Sequence, residues 1–105
     1  MEKAFVKNAA DEQQVKDAEG KVKRGRDREL DDLNYVLQSV QGRRFIWRML
    51  SECKTFASIW DQSSRIHYSA GKQDVGHWLM AEITDADEMA LFKMMKESKK
   101  ELGNV

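Results

Sequence analysis

The chain has 105 residues, 34% of them charged and 41% apolar, and its 18 basic side chains balance 18 acidic ones. That length holds one domain rather than two, and a net charge of zero argues against wholesale nucleic-acid binding. One cysteine, Cys53, excludes an internal disulfide, no run approaches the ~20 apolar residues of a bilayer span, and 1–14 lacks the apolar centre of a secretion signal, so the expectation is a soluble protein made in a cytoplasm.

Residues 1–25 read as a charged N-terminal arm, and 26–105 as the helical domain. In the arm Phe5, Val6, Val15 and Val22 are isolated among Lys, Arg, Asp and Glu. The stretch 9–16 has helical propensity, but Gly20 and Gly25 each cost about 1 kcal/mol in a helix interior. The arm is therefore expected to be partly helical, mobile alone and ordered against a partner.

The chain has no proline, so nothing interrupts a helical hydrogen-bond ladder downstream. A first firm helix is predicted at 27–38, from Leu30, Leu33, Val36, Leu37 and Val40 at spacings of three and four. Ser39 is a candidate N-cap for the next helix, and Gly42 permits its tight start. That second helix spans 41–53, with Phe45, Ile46, Met49, Leu50 and Cys53 as its apolar stripe and Arg43, Arg44 and Arg48 on the other faces. On that stripe the Cys53 thiol is expected to be buried and inert.

Residues 54–69 break the pattern and read as a loop clamped on the core by Phe56 and Trp60, with Ser69 as the next candidate N-cap. A third helix is expected at 70–84, with Val75, Trp78, Leu79 and Ile83 inward and Gly76 marking a close approach of a neighbouring helix. Asp85 and Glu88 resemble a capping box for a last helix at 86–101. Met89, Phe92 and Met95 are assigned to its inner face, and Met80 and Met94 to outward positions. The fold expected is all-α, a small bundle of about four helices.

No chemistry-bearing constellation emerges. His67 and His77 lie ten apart with no cysteine pair or HExxH spacing, which does not suit a metal, and no cofactor is implied. There is no glycine-rich phosphate loop and no nucleophile elbow. Three tryptophans and six methionines in so short a chain suit either a small core or a protein interface. The candidate partner-binding residues are Phe5, Val6, Val15, Arg43, Arg44, Trp47, Arg48, Trp60, Met80 and Met94.

Two strings carry a likeness. The first is GRRFxWRxL at 42–50, preceded by DLNYVL at 32–37 and followed by Phe56 and Trp60. The second is G-x4-G-x-W-L at 71–79, within 71–83. From Asp32 to about Met95 the chain resembles a family of short tailed-bacteriophage proteins encoded among virion structural genes, whose biochemical role is largely unassigned. Family members tend to be aliphatic where this chain has His77. The resemblance implies a non-enzymatic virion component, produced in the host cytoplasm and docked in symmetric copies on other virion proteins at a portal, tail hub or internal ejection core. It implies no catalytic residues. The competing expectation is a small nucleic-acid-binding regulator that sets Arg43, Arg44 and Arg48 against phosphates.

Overall fold

A computed structural model describes the backbone of residues 2–103 and the side chains of residues 9–103. Four helices run in order: α1 (Glu2–Leu37), α2 (Val40–Glu52), α3 (Arg65–Ala86) and α4 (Ala90–Gly103). No strand occurs among the described residues, so the chain is an all-α bundle.

The arm and the first helix are one element. α1 continues through Gly20 and Gly25 for 36 residues, about 54 Å at 1.5 Å per residue. This corrects the expected start of the first helix at 27. Once the bundle anchors the C-terminal part of α1, each further residue only propagates the helix, without a nucleation cost. The Glu, Lys, Gln, Ala and Arg residues around the glycines are strong helix formers and outweigh them.

Ser39 ends the turn after α1 as expected, its Oγ accepting from the Gly42 N–H at 2.9 Å. A Cβ on Gly42 would collide with the Val36 carbonyl oxygen and lie 2.9 Å from its carbon. Glycine is what allows α2 to fold back this closely.

The core is Leu37, Ile46, Leu50, Leu79, Ile83, Ala90 and Met94, with Leu33, Trp47, Ala86 and Leu91 packed against it. Leu50 and Ile83 are fully enclosed. Each contributes about 1.5–3 kcal/mol of burial.

Three helix phases differ from expectation. On α2 the inner line is Arg43, Ile46 and Leu50, while Phe45 and Met49 face solvent. On α3 it is Ser69, Gly76, Leu79 and Ile83, and Val75 and Trp78 are exposed. On α4 Met94 is buried (1% exposed), whereas Met89, Phe92 and Met95 lie outside. The α3 and α4 boundaries also move. Asp85 belongs to α3, and Asp87 is the residue that turns the chain, its Oδ1 accepting from the Met89 N–H at 3.0 Å.

The connection between α2 and α3 is tied to α3 rather than loose. α2 ends with Lys54 in the left-handed region at φ 55°. The Lys54 N–H donates to the Ser51 carbonyl at 3.0 Å and the Thr55 N–H to the Leu50 carbonyl at 3.2 Å. This is the paired C-terminal closure that glycine usually occupies. Thr55 is buried, and its hydroxyl donates to the Leu50 carbonyl at 2.7 Å. Gly76 faces it, and a Cβ there would strike Thr55 Oγ1 and sit 3.0 Å from Cys53 Cβ. The close approach expected at Gly76 is real, but loop side chains make it, not a helix backbone. Gln73 donates to the carbonyls of Lys54 (2.9 Å) and Ala57 (3.0 Å), and the His77 ring meets the Thr55 carbonyl at 3.2 Å. Gln73, Gly76 and His77 of the second string thus have a structural task.

Lys54→Gly is expected to stabilise the bundle by about 1 kcal/mol. It relieves the left-handed strain of a residue with a Cβ and loses a 3.4 Å contact from Lys54 Nζ to Ser69 Oγ and a weak attraction between exposed Lys54 and Asp61. A urea midpoint that rises would agree. One that falls would mean that the lysine contact outweighs the strain.

Candidate docking surface

Arg26 fixes where the bundle stops and the arm begins. Its Nη1 donates to Glu82 Oε2 at 2.6 Å and its Nη2 to Asp85 Oδ2 at 3.1 Å, joining α1 to the C-terminal end of α3. The hydrogen bond to Glu82, above all, holds the guanidinium above its ordinary pKa.

On the bundle side of Arg26, α1 turns Leu30, Leu33 and Leu37 inward. Steps of three and four residues carry the same line back to Val22, Ala18 and Val15. There it is uncovered, and Val22 is 73% exposed. The matching line on α3 runs from Asp85 and Glu82 to Trp78, Val75 and Tyr68, all three exposed. Two apolar helix faces therefore leave the Arg26 clamp with nothing across them among the described residues.

A second apolar area lies on α2 and the loop. Trp47 is half-buried and stacks on Phe56, with ring centroids 5.5 Å apart and planes at 26°. Phe45 is exposed beneath the Arg48 guanidinium, 5.2 Å from its ring centroid. Trp60 does not clamp the loop: it is 72% exposed. Asp61 closes a local turn beside it, its Oδ1 accepting from the N–H (2.8 Å) and the hydroxyl (2.9 Å) of Ser63. Those bonds hold the Asp61 carboxyl below its usual pKa.

The candidate residues separate into three groups. Val15, Trp60, Arg44 and Arg48 are exposed, and Trp47 and Met80 are half-buried. Met94 and Arg43 are buried and are corrected from surface to interior. Phe5 and Val6 carry side chains outside the described residues. Arg43 is 5% exposed, and its Nε donates to Glu97 Oε1 at 2.9 Å and its Nη1 to the Leu37 carbonyl at 2.7 Å. Arg44 pairs with Glu101 at 3.0 Å on the surface. The three arginines do not form one free cationic face.

Sequence reasoning missed Tyr68, Val75, Trp78 and Phe45 as surface residues, having placed Val75, Trp78 and Phe45 inward. Cys53 is half-buried at the end of α2 rather than enclosed.

Among the described residues no group of three His, Cys, Asp or Glu side chains could hold a metal ion. No described helix is long and apolar enough to cross a membrane. Fold and surface define a class: a small all-α bundle carrying a long helical arm and uncovered aromatic faces. The chain matches no protein-family model, no curated protein and no solved structure.

Proposed function

We propose that this chain is a non-enzymatic virion protein of a tailed phage that docks on a larger assembly such as a portal, tail hub or internal ejection core. The observation that carries the docking role is the arm. α1 runs some seven turns beyond the Arg26 clamp, with Val15 and Val22 bare along one side. The radius of gyration is 20.9 Å, against about 13 Å for a compact chain of this size. A helix held this far from its own core gains its stabilising contacts from another molecule.

Trp60, Trp78 and Tyr68 extend the docking surface onto the bundle. Exposed aromatics of this size dominate binding energy when a partner covers them. The phage setting rests on the likeness carried by 42–50 and 71–83.

Mass spectrometry of purified particles tests the setting, and the chain is expected in mature virions at a fixed copy number. Its absence would end the virion reading. Trp60→Ser is expected to leave the melting temperature unchanged, because the ring is outside the core, while lowering the amount incorporated. Full incorporation would remove Trp60 from the docking surface.

A further inference from the structure

We propose that the first partner of the arm is the arm of a second copy of this chain, the two lying antiparallel along their Val15–Ala18–Val22 faces. The proposal rests on the arm being a docking element and names what it docks against.

The charge order along α1 argues for it. Between 9 and 19 the helix carries Asp11, Glu12, Asp17 and Glu19 against one cation, Lys16. Between 20 and 28 it carries Lys21, Lys23, Arg24, Arg26 and Arg28 against one carboxylate, Asp27. Two arms in parallel register would set acidic block on acidic block and basic on basic. Antiparallel arms, with the two-fold axis level with Gly20, set each acidic block beside the partner's basic one. Apart from Arg26, whose guanidinium is held by Glu82 and Asp85, the block charges lie on exposed residues and remain free to act across the pair.

The apolar line fits the same register. Val15 comes level with the partner's Gly25, and Ala18 with the partner's Val22. Each layer sets a large residue against a small one, which lets two helices approach closely. The space where Gly25 would carry a Cβ is open, with no atom within 4 Å. The same line is already a packing surface on its other half, where the bundle covers Leu30, Leu33 and Leu37. The second arm continues that cover past the Arg26 clamp.

Light scattering of the full chain after size exclusion tests the pairing. At low salt the mass is expected to be twice 12.2 kDa. It should fall toward the single-chain value between roughly 0.05 and 0.5 M salt, as the charge blocks are screened. Val15→Asp with Val22→Asp should give one chain at every concentration, with the bundle's melting temperature unchanged. Orientation is read in a Cys53→Ser background. Chains carrying Val15→Cys and chains carrying Gly25→Cys, when mixed and oxidised, are expected to form the mixed disulfide, while Val15→Cys alone does not link.

A single-chain mass under all conditions overturns the proposal, and rapid linking of Val15→Cys to itself overturns the antiparallel arrangement. A monomer that still enters particles means that a helix of another protein occupies the arm; the self-pairing then fails and the docking role stands. A dimer absent from particles leaves the self-pairing and removes the virion role.

Discussion

Glu97→Ala is expected to lower stability by about 3 kcal/mol, although Glu97 itself is partly in water. The reason is what it leaves behind. Arg43 keeps only the Leu37 carbonyl and becomes a charge inside the bundle without a counter-charge. Removing one member of a buried pair typically costs about 3–5 kcal/mol, and the side-chain exposure of Glu97, 30%, puts this pair at the low end because water can follow. The neighbouring pair supplies the control. Arg44 and Glu101 are both well exposed, so Glu101→Ala should cost only about 0–0.5 kcal/mol. The double change Arg43→Met with Glu97→Leu should recover most of the loss, because apolar groups of similar size remove both desolvation costs together. Equal effects of Glu97→Ala and Glu101→Ala in urea melts would show that Arg43 is not sequestered.

Gly42→Ala is expected to cost about 3 kcal/mol, the upper part of the usual range for overpacking. Helix propensity alone predicts the opposite sign, a gain of about 1 kcal/mol for alanine inside a helix. Collision with the Val36 carbonyl decides between them, since both sides of the contact are backbone and neither has a rotamer to change. The turn between α1 and α2 must open, which would pull Leu37 and Ile46 apart within the core. For a domain of this size the shift is on the order of 15 °C in melting temperature. A variant that melts higher than the parent would mean that the turn has room to spare.

Gly42→Ala falls in the part of the fold that was most legible. Ser39 and Gly42 announced a capped, tightly entered helix, and Leu50 and Ile83 stood on helical stripes whichever neighbours were chosen. What pattern reading could not weigh was a charged or small residue on a core line. Arg43 looks like surface until Glu97 is known to lie beside it. Ser69 looks like a cap until α3 is found to begin at Arg65 and turn it inward, and Gly76 announced a close approach but not that Thr55 makes it. On α4 Ala90 is too small to register as a stripe, so Met89, Phe92 and Met95 outbid Ala90 and Met94. The same error hid the surface, because each of those misread phases put in the core an aromatic or a methionine that the structure leaves in solvent. The arm was legible in its composition and its bare valines, but not in its continuity with α1. Glycine costs in a helix interior are local, whereas an anchored helix extends by propagation.

If the N-terminal part of α1 is spare for docking, the bundle stands without it. A thermal melt of the chain lacking 2–22 tests it most directly. The deletion stops short of Arg26, so the clamp to Glu82 and Asp85 and the lines at Leu30, Leu33 and Leu37 are retained. The expected result is a cooperative transition within about 3 °C of the full chain, less than the 4–8 °C that 1 kcal/mol would move a domain this small. A loss of cooperativity, or a fall of 10 °C or more, on the order of 2 kcal/mol by the same scale, would place the arm in the fold itself and contradict the account.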